Sequence, residues 1–227
     1  LHGMTDYFFQ THVAEHFAAQ GYDFYAVDLR KCGRSRRSGQ SWHYVSDLAF
    51  YYVDLNAALD AIPNEEVVFI AHSTGGLIAP LWMDQLRQTD QERYKRIKGL
   101  ILNSPWLDMM GVPECVLTSL KPLLYALGRF APKTPLPGGN LTAYGESVHQ
   151  DFYGEWGFDL RFKPLAGHRK YVGWIAAVFH GFDAIHSGRV DAGVPILTLQ
   201  STRTQLGQPY SDSVNHADVI IDVAQTR

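Results

Sequence analysis

Apolar residues recur along the first hundred positions in two kinds of pattern. Residues 6–20 place apolar side chains at close to helical spacing, and residues 46–61 repeat that pattern over four turns. Short runs rich in β-branched and aromatic residues, at 22–29, 67–70 and 97–102, have instead the composition of buried strands. Strands and helices that alternate at this spacing predict right-handed crossovers and a mostly parallel, doubly wound α/β sheet.

The alternation stops after position 107 and resumes near the end of the chain. An apolar, helix-like stretch spans 116–130 and contains Pro122, a second spans 174–185, and a strand pattern returns at 194–200. The intervening residues 131–145 are rich in proline and glycine. We therefore expect a core in two parts with an insertion between them: 1–107, 108–190 for the insertion, and 191–227, the last incomplete at its C-terminal end.

One stretch combines a strand, a sharp turn and a helix. Val67 to Ile70 run into Ala71-His72-Ser73-Thr74-Gly75, and an apolar-periodic segment begins at Leu77. A serine at such a turn is held clear of both elements, and the free N–H groups of the following helix point to the same place. The arrangement suits a nucleophile and half of an oxyanion hole, although a plain strand–helix turn would have the same pattern.

These residues resemble the nucleophile elbow of α/β-hydrolases, G-x-S-x-G, with Ala71 in place of the first glycine. Leu1-His2-Gly3-Met4 is similar to the family's early H-G loop. The segment from Asp28 to Ser35 is similar to D-x-R-G-x-G-x-S, a structural loop, with Lys31 in place of its first glycine. The branch resembled is that of monoacylglycerol lipases and S33-type, lysophospholipase-like serine aminopeptidases. The resemblance implies an α/β-hydrolase core with an inserted helical cap at 108–190; the alternative is that the apolar helices only complete the core.

The same resemblance assigns the site residues. Ser73 would be the nucleophile, and the N–H groups of Met4 and Thr74 would bind the oxyanion. Ala217-Asp218 and the residues after it resemble the family's A-D-x-x-x-D segment, which makes Asp218 the expected triad acid. Asp222 and Asp108 are the second and third choices.

A catalytic histidine is harder to place. Family order puts it after the acid, but no histidine occurs after His216. His72 adjoins Ser73 and should point away from it, and the others include His168, His180 and His186, all in the expected insertion. We therefore expect a chain truncated at both ends, with its catalytic histidine beyond Arg227, and slow ester hydrolysis by residues 1–227 alone.

Composition and charge limit which partners and which cellular location are expected. The net charge of −3, without a long run of one sign, gives no electrostatic support for nucleic-acid binding. No apolar run is long enough to span a membrane, although the apolar insertion could make transient contact with a lipid interface. The two cysteines, Cys32 and Cys115, form no metal-ligand pattern; a reducing, cytoplasmic location is the default expectation. Cys32 is expected to be a packed residue.

The expected activity is hydrolysis of carboxylic esters through an acyl-enzyme at Ser73, with no metal or organic cofactor. The partner would be a small ester or a lipid-like molecule, such as a monoacylglycerol or lysophospholipid; the oligomeric state stays open. Alternatives on the same site are acyl transfer and S33-type aminopeptidase activity, which needs an acidic cluster for the substrate amine. Four residues of the insertion could supply that cluster: Glu146, Asp151, Glu155 and Asp159. A further alternative is a non-catalytic binding protein on a hydrolase scaffold.

Overall fold

The computed structural model describes residues 1–137 and 141–224. Its sheet has three parallel strands in the order β1–β2–β3, namely β1 (Val67–His72), β2 (Ile97–Asn103) and β3 (Ile196–Leu199). Leu1 lies beside β1, since its ammonium group donates to the Ile70 carbonyl at 2.6 Å and its carbonyl accepts from the His72 N–H at 2.9 Å. Leu1 and the carboxyl ends of the three parallel strands therefore lie at the same edge of the sheet. Open α/β sheets bind their ligands at this edge.

Helices occupy most of the positions that the apolar pattern predicts. They are α1 (Thr11–Ala19), α2 (Phe50–Ala61), α3 (Thr74–Thr89), α4 (Gln91–Tyr94), α5 (Glu114–Phe130), α6 (Thr142–Val148) and α7 (Val172–His186), with short 3₁₀ turns at Gly33–Ser35 and Asp212–His216. The predictions for α2, α3, α5 and α7 differ from the structure only by a few terminal residues. Of the helices in the described ranges, none combines the length and apolar character needed to cross a membrane.

The strand predicted at 22–29 is wrong. These residues form no strand with any described part of the chain, and Tyr22 and Tyr25 are 60% and 48% exposed. Only Leu29, at the end of the segment, is buried. The prediction was based on composition alone. A strand also needs a neighbouring backbone to pair with, and the sequence pattern does not indicate whether that neighbour is present.

The core lies between the sheet and the helices α2, α3 and α7. Leu55, Leu77, Trp82 and Phe182 are among its fully buried side chains. Helix α7 therefore packs into the same core as the elbow helix, although it falls within the expected insertion. Helix α5 packs across α7 and leaves an apolar face exposed (Val116, Leu120, Leu123, Leu127 and Phe130). The division into 1–107, 108–190 and 191–227 stays a prediction.

Candidate active site

Ser73 lies between the end of β1 and the start of α3 in a strained backbone conformation. Its φ of +53° and ψ of −121° are rare for a residue with a side chain. Neighbouring backbone groups hold this geometry: the Ser73 N–H donates to the Asn103 carbonyl at 3.2 Å, and the Ser73 carbonyl accepts from the Gly76 N–H at 2.8 Å. A nucleophile elbow places its serine at a strained strand-to-helix turn of this kind, and the nucleophilic role of Ser73 stays a prediction.

Two glycines allow the N-terminal loop to pack directly against the elbow. A Cβ on Gly3 would lie 2.7 Å from Ser73 Cβ, and a Cβ on Gly75 would lie 2.6 Å from the His2 carbonyl oxygen. Neither position can therefore hold a larger residue without moving backbone. Ala71, where the motif has its first glycine, is fully buried but accommodates its methyl group.

The two expected oxyanion donors adjoin Ser73. Thr74 is the first residue of α3, and Met4 follows the glycine that touches Ser73. Neither the Met4 N–H nor the Thr74 N–H donates to any acceptor in the described residues. Both amides are thus free to bind a developing negative charge, and their catalytic role stays a prediction.

A cavity of about 260 Å³ opens at the carboxyl edge of the sheet and brings several of these residues together. Ser73, Gly3, Met4 and Asp218 all line it. The remaining lining combines polar and apolar side chains, including Asp6, His72, Tyr144, Lys163, Leu141, Val214 and Ile220. The chain thus brings Ser73, Met4 and Asp218, which were predicted from distant segments, to one place, whereas Thr74 is not among the lining residues.

Among the three candidate acids, Asp218 is the one that lines this cavity. Its Oδ1 accepts the N–H groups of Ile220 at 2.9 Å and Ile221 at 2.7 Å, which fixes the carboxylate in a tight turn. Asp222 accepts the Ala224 N–H and Asp108 accepts the Met109 N–H, and neither lines the cavity. Geometry therefore favours Asp218 for the acid role.

His72 is the histidine that lines the cavity among the described residues. Its Nδ1 donates to the Asn103 carbonyl at 2.9 Å, and burial lowers the pKa of its ring. His168, His180 and His186, the insertion histidines considered from the sequence, do not line the cavity. His168 and His186 donate from Nε2 to the carbonyls of Phe162 and Leu107, and His180 stacks on Tyr125. None of these three rings is placed to accept the Ser73 proton.

A buried ion pair on the cavity wall was not anticipated from the sequence. Lys163 Nζ lies 2.8 Å from Asp6 Oδ1, and the two side chains are 6% and 5% exposed. Burial alone would lower the pKa of the ammonium group, but Tyr144 and Asp6 beside it hold that pKa above its ordinary value. A lone lysine in a polar loop, 157 positions from its partner, gives no sequence signal.

The acidic residues considered for an aminopeptidase site lie away from this cavity. Glu146, Asp151, Glu155 and Asp159 are all absent from its lining. Asp159 instead pairs with Arg161 at 2.5 Å, and Asp151 lies beside His149. The structure therefore places none of these four carboxylates on the wall of the cavity that Ser73 lines.

Comparison with known proteins identifies the family. The family model Hydrolase_4, described as "Serine aminopeptidase, S33", matches residues 1–217. The chain belongs to this S33 family. As the sequence resemblance implied, it is an α/β-hydrolase-type chain. None of the curated proteins compared with it matches.

Two solved structures confirm the fold of this S33 chain. One is the monoacylglycerol lipase of Paleococcus ferrophilus, with 19% identity, a TM-score of 0.63, and coverage of 90% of this chain and 72% of the lipase. The other is a soluble variant of monoglyceride lipase from Saccharomyces cerevisiae in complex with a substrate analogue, with 16% identity, a TM-score of 0.61, and coverage of 91% and 66%. At these identities the similarity establishes the α/β-hydrolase fold.

Proposed function

We propose that this chain is the core of a serine hydrolase that cleaves carboxylic esters through an acyl-enzyme on Ser73. The observation that supports the proposal most strongly is the shared cavity of Ser73, Met4 and Asp218, with Ser73 strained and in contact with Gly3. The meeting of these three sequence-distant segments supports a site with a nucleophile, an oxyanion donor and an acid.

In the proposed reaction the Ser73 hydroxyl oxygen adds to the ester carbonyl carbon, and its proton passes to a base. The Met4 and Thr74 amides stabilise the negative oxygen of the tetrahedral intermediate. The intermediate collapses, the bond to the alcohol oxygen breaks, and the base returns its proton to that oxygen. Water then adds to the acyl group by the same route, which releases the acid and restores the hydroxyl group.

The base in this proposal is a histidine outside the described residues, oriented by the Asp218 carboxylate. His72 is poorly suited to the role, since its Nδ1 already donates to the Asn103 carbonyl and, within the described residues, its ring forms no ion pair with a carboxylate. A lowered pKa also leaves His72 a weak proton acceptor.

The substrate proposed is an uncharged ester of short or medium acyl length. Both solved relatives are named as lipases of monoacylglycerol type, and the cavity of about 260 Å³ is near the small end of ligand pockets. We propose monoacylglycerols and small esters as the first substrates to test, before lysophospholipids. Acyl transfer in place of hydrolysis stays an alternative.

The test is hydrolysis of glyceryl monobutyrate and p-nitrophenyl butyrate by the protein that carries this sequence. Ser73→Ala should abolish turnover of both substrates, and Ser104→Ala, which changes another serine on the cavity wall, should not. Turnover that persists in Ser73→Ala would contradict the role of Ser73, and no turnover by the unchanged protein would favour the alternative of a non-catalytic binding protein.

Aminopeptidase activity is the second candidate because the matched family is described by that name. The proposed test is release of p-nitroaniline from amino-acid p-nitroanilides. We expect turnover well below that of the esters, because the four acidic residues of the insertion do not reach the cavity.

A further inference from the structure

The loop that carries Met4 has a strained backbone that needs support from outside. Thr5, the next residue, has a φ of +57°, in the left-handed region that β-branched residues rarely adopt. Such conformations persist only where surrounding contacts over-determine them. The position of the Met4 amide therefore depends on what holds residues 5–7.

Segment 159–168, far away in sequence, holds this loop at three successive residues. Lys163 pairs with Asp6 at 2.8 Å, the His168 N–H donates to Thr5 Oγ1 at 3.1 Å, and the Asp159 N–H donates to the Tyr7 hydroxyl at 2.8 Å. The Thr5 N–H also donates to His43 Nδ1 at 3.3 Å. Side-chain and backbone contacts thus hold the loop at Thr5, Asp6 and Tyr7.

Lys163 is the central contact of this clamp. Its ammonium group lies 5.0 Å from the ring centre of Tyr144, 5.5 Å from that of Phe9 and 5.7 Å from that of Phe158. Enclosed by these rings, the ammonium group has little freedom to follow a displaced carboxylate. Since Asp6 is two residues from Met4, a shift of the carboxylate moves the backbone that presents the Met4 N–H.

We propose that Lys163 is a positioning residue for the oxyanion hole, which acts by fixing Asp6 and with it the Met4 amide. The inference rests on the proposed function, because it needs Met4 as an oxyanion donor. Lys163 also lines the cavity, so direct contact with substrate is the competing explanation, and the test must separate the two.

The experiment compares Lys163→Met, the double variant Asp6→Asn with Lys163→Met, and the control Lys121→Met in the protein that carries this sequence. Lys121 also forms a lysine–aspartate pair, with Asp183 at 2.5 Å, but away from the cavity. Turnover of p-nitrophenyl butyrate and binding of a trifluoromethyl ketone, which mimics the tetrahedral adduct, are measured for each protein.

Lys163→Met and the double variant should each lower kcat about tenfold or more, because a displaced oxyanion donor loses much of its effect. KM should stay within about threefold, and ketone affinity should fall by the same factor as kcat/KM. Lys121→Met should match the unchanged protein. The double variant should regain the thermal stability that Lys163→Met loses, because it leaves no unpaired buried charge, and yet keep the low kcat.

Two results would overturn the inference alone while turnover still depends on Ser73. One is a raised KM with an unchanged kcat in Lys163→Met, which would make Lys163 a substrate contact. The other is a normal kcat in the double variant, which would trace the defect to the stray charge. Turnover that is independent of Ser73 would instead overturn the proposed function and this inference with it.

Discussion

Gly3 packs directly against Ser73. A Cβ on Gly3 would lie 2.7 Å from Ser73 Cβ and 3.1 Å from Ser73 Oγ. This contact joins the start of the chain to the elbow and places the next amide, that of Met4, at the cavity. Real Cβ atoms do not approach other atoms this closely, so a side chain at position 3 must displace either the loop or the nucleophile.

The first prediction follows from that contact. Gly3→Ala should lower kcat/KM for p-nitrophenyl butyrate about a hundredfold or more, since it moves the nucleophile relative to the oxyanion donors. Gly39→Ala is the control, because a Cβ there meets no atom within 4 Å, although its φ of +78° adds local strain. Normal turnover by Gly3→Ala would contradict the assignment of this loop to the oxyanion hole.

A second prediction concerns the acid. Asp218→Asn should lower kcat/KM about a thousandfold or more, because the amide no longer stabilises a histidinium or fixes its tautomer. Asp222→Asn should stay within about threefold of the unchanged protein, because Asp222 does not line the cavity. Steady-state kinetics on both variants separate the candidates, and the reverse ranking would move the acid to Asp222.

A third prediction concerns His72. His72→Gln should retain most of the ester hydrolysis. The glutamine amide can still donate to the Asn103 carbonyl, to which His72 Nδ1 donates in the unchanged protein. The pH dependence of kcat/KM should also keep its inflection in this variant, because the base titrates elsewhere. Loss of both turnover and inflection would make His72 the base.

A fourth prediction concerns stability. The Asp28 carboxylate accepts the Phe8 N–H at 3.1 Å and the Arg34 guanidinium at 2.7 Å. Burial alone would raise the pKa of Asp28, but these donors hold it below its ordinary value. Asp28→Asn should therefore cost about 2 kcal/mol of unfolding free energy at pH 7.

The pH dependence of that difference follows from the sign of the shift. A carboxyl group whose pKa is lower in the folded state stabilises fully above its unfolded pKa of about 3.9. The contribution is lost as the pH falls through the lower, folded value. Urea unfolding at several pH values should show a constant difference between the proteins from pH 7 to about 5, shrinking below about 4. A difference that persists unchanged at pH 3 would contradict the assigned ionic contacts.

The features that could be predicted from the sequence are those that depend on residues close together in the chain. The elbow was predictable because a β-branched run, a small-residue turn and an apolar helix adjoin within a few positions. Lys31 occupies the position where the family loop has glycine, and it adopts a φ of +63° that is typical of glycine. Cys32 is packed, as expected, and its burial raises the pKa of its thiol. The elbow depends on residues that are neighbours in sequence.

What the sequence missed depends on distant partners. The segment 22–29 has the composition of a strand, but no described backbone pairs with it. Lys163 gave no signal because its ion pair is with Asp6, which only the folded chain brings near. Helix α7 was expected in the insertion, and its packing against α3 follows from tertiary contacts that its apolar period alone does not specify.

The most direct test of the central claim is the site of covalent labelling by a fluorophosphonate in the protein that carries this sequence. The phosphorus atom bonds to an activated serine oxygen and fluoride leaves, so peptide mass spectrometry identifies the modified residue. The proposal predicts one adduct, on Ser73, and none in Ser73→Ala. An adduct on another serine, or an unlabelled Ser73 in protein that hydrolyses esters, would contradict it.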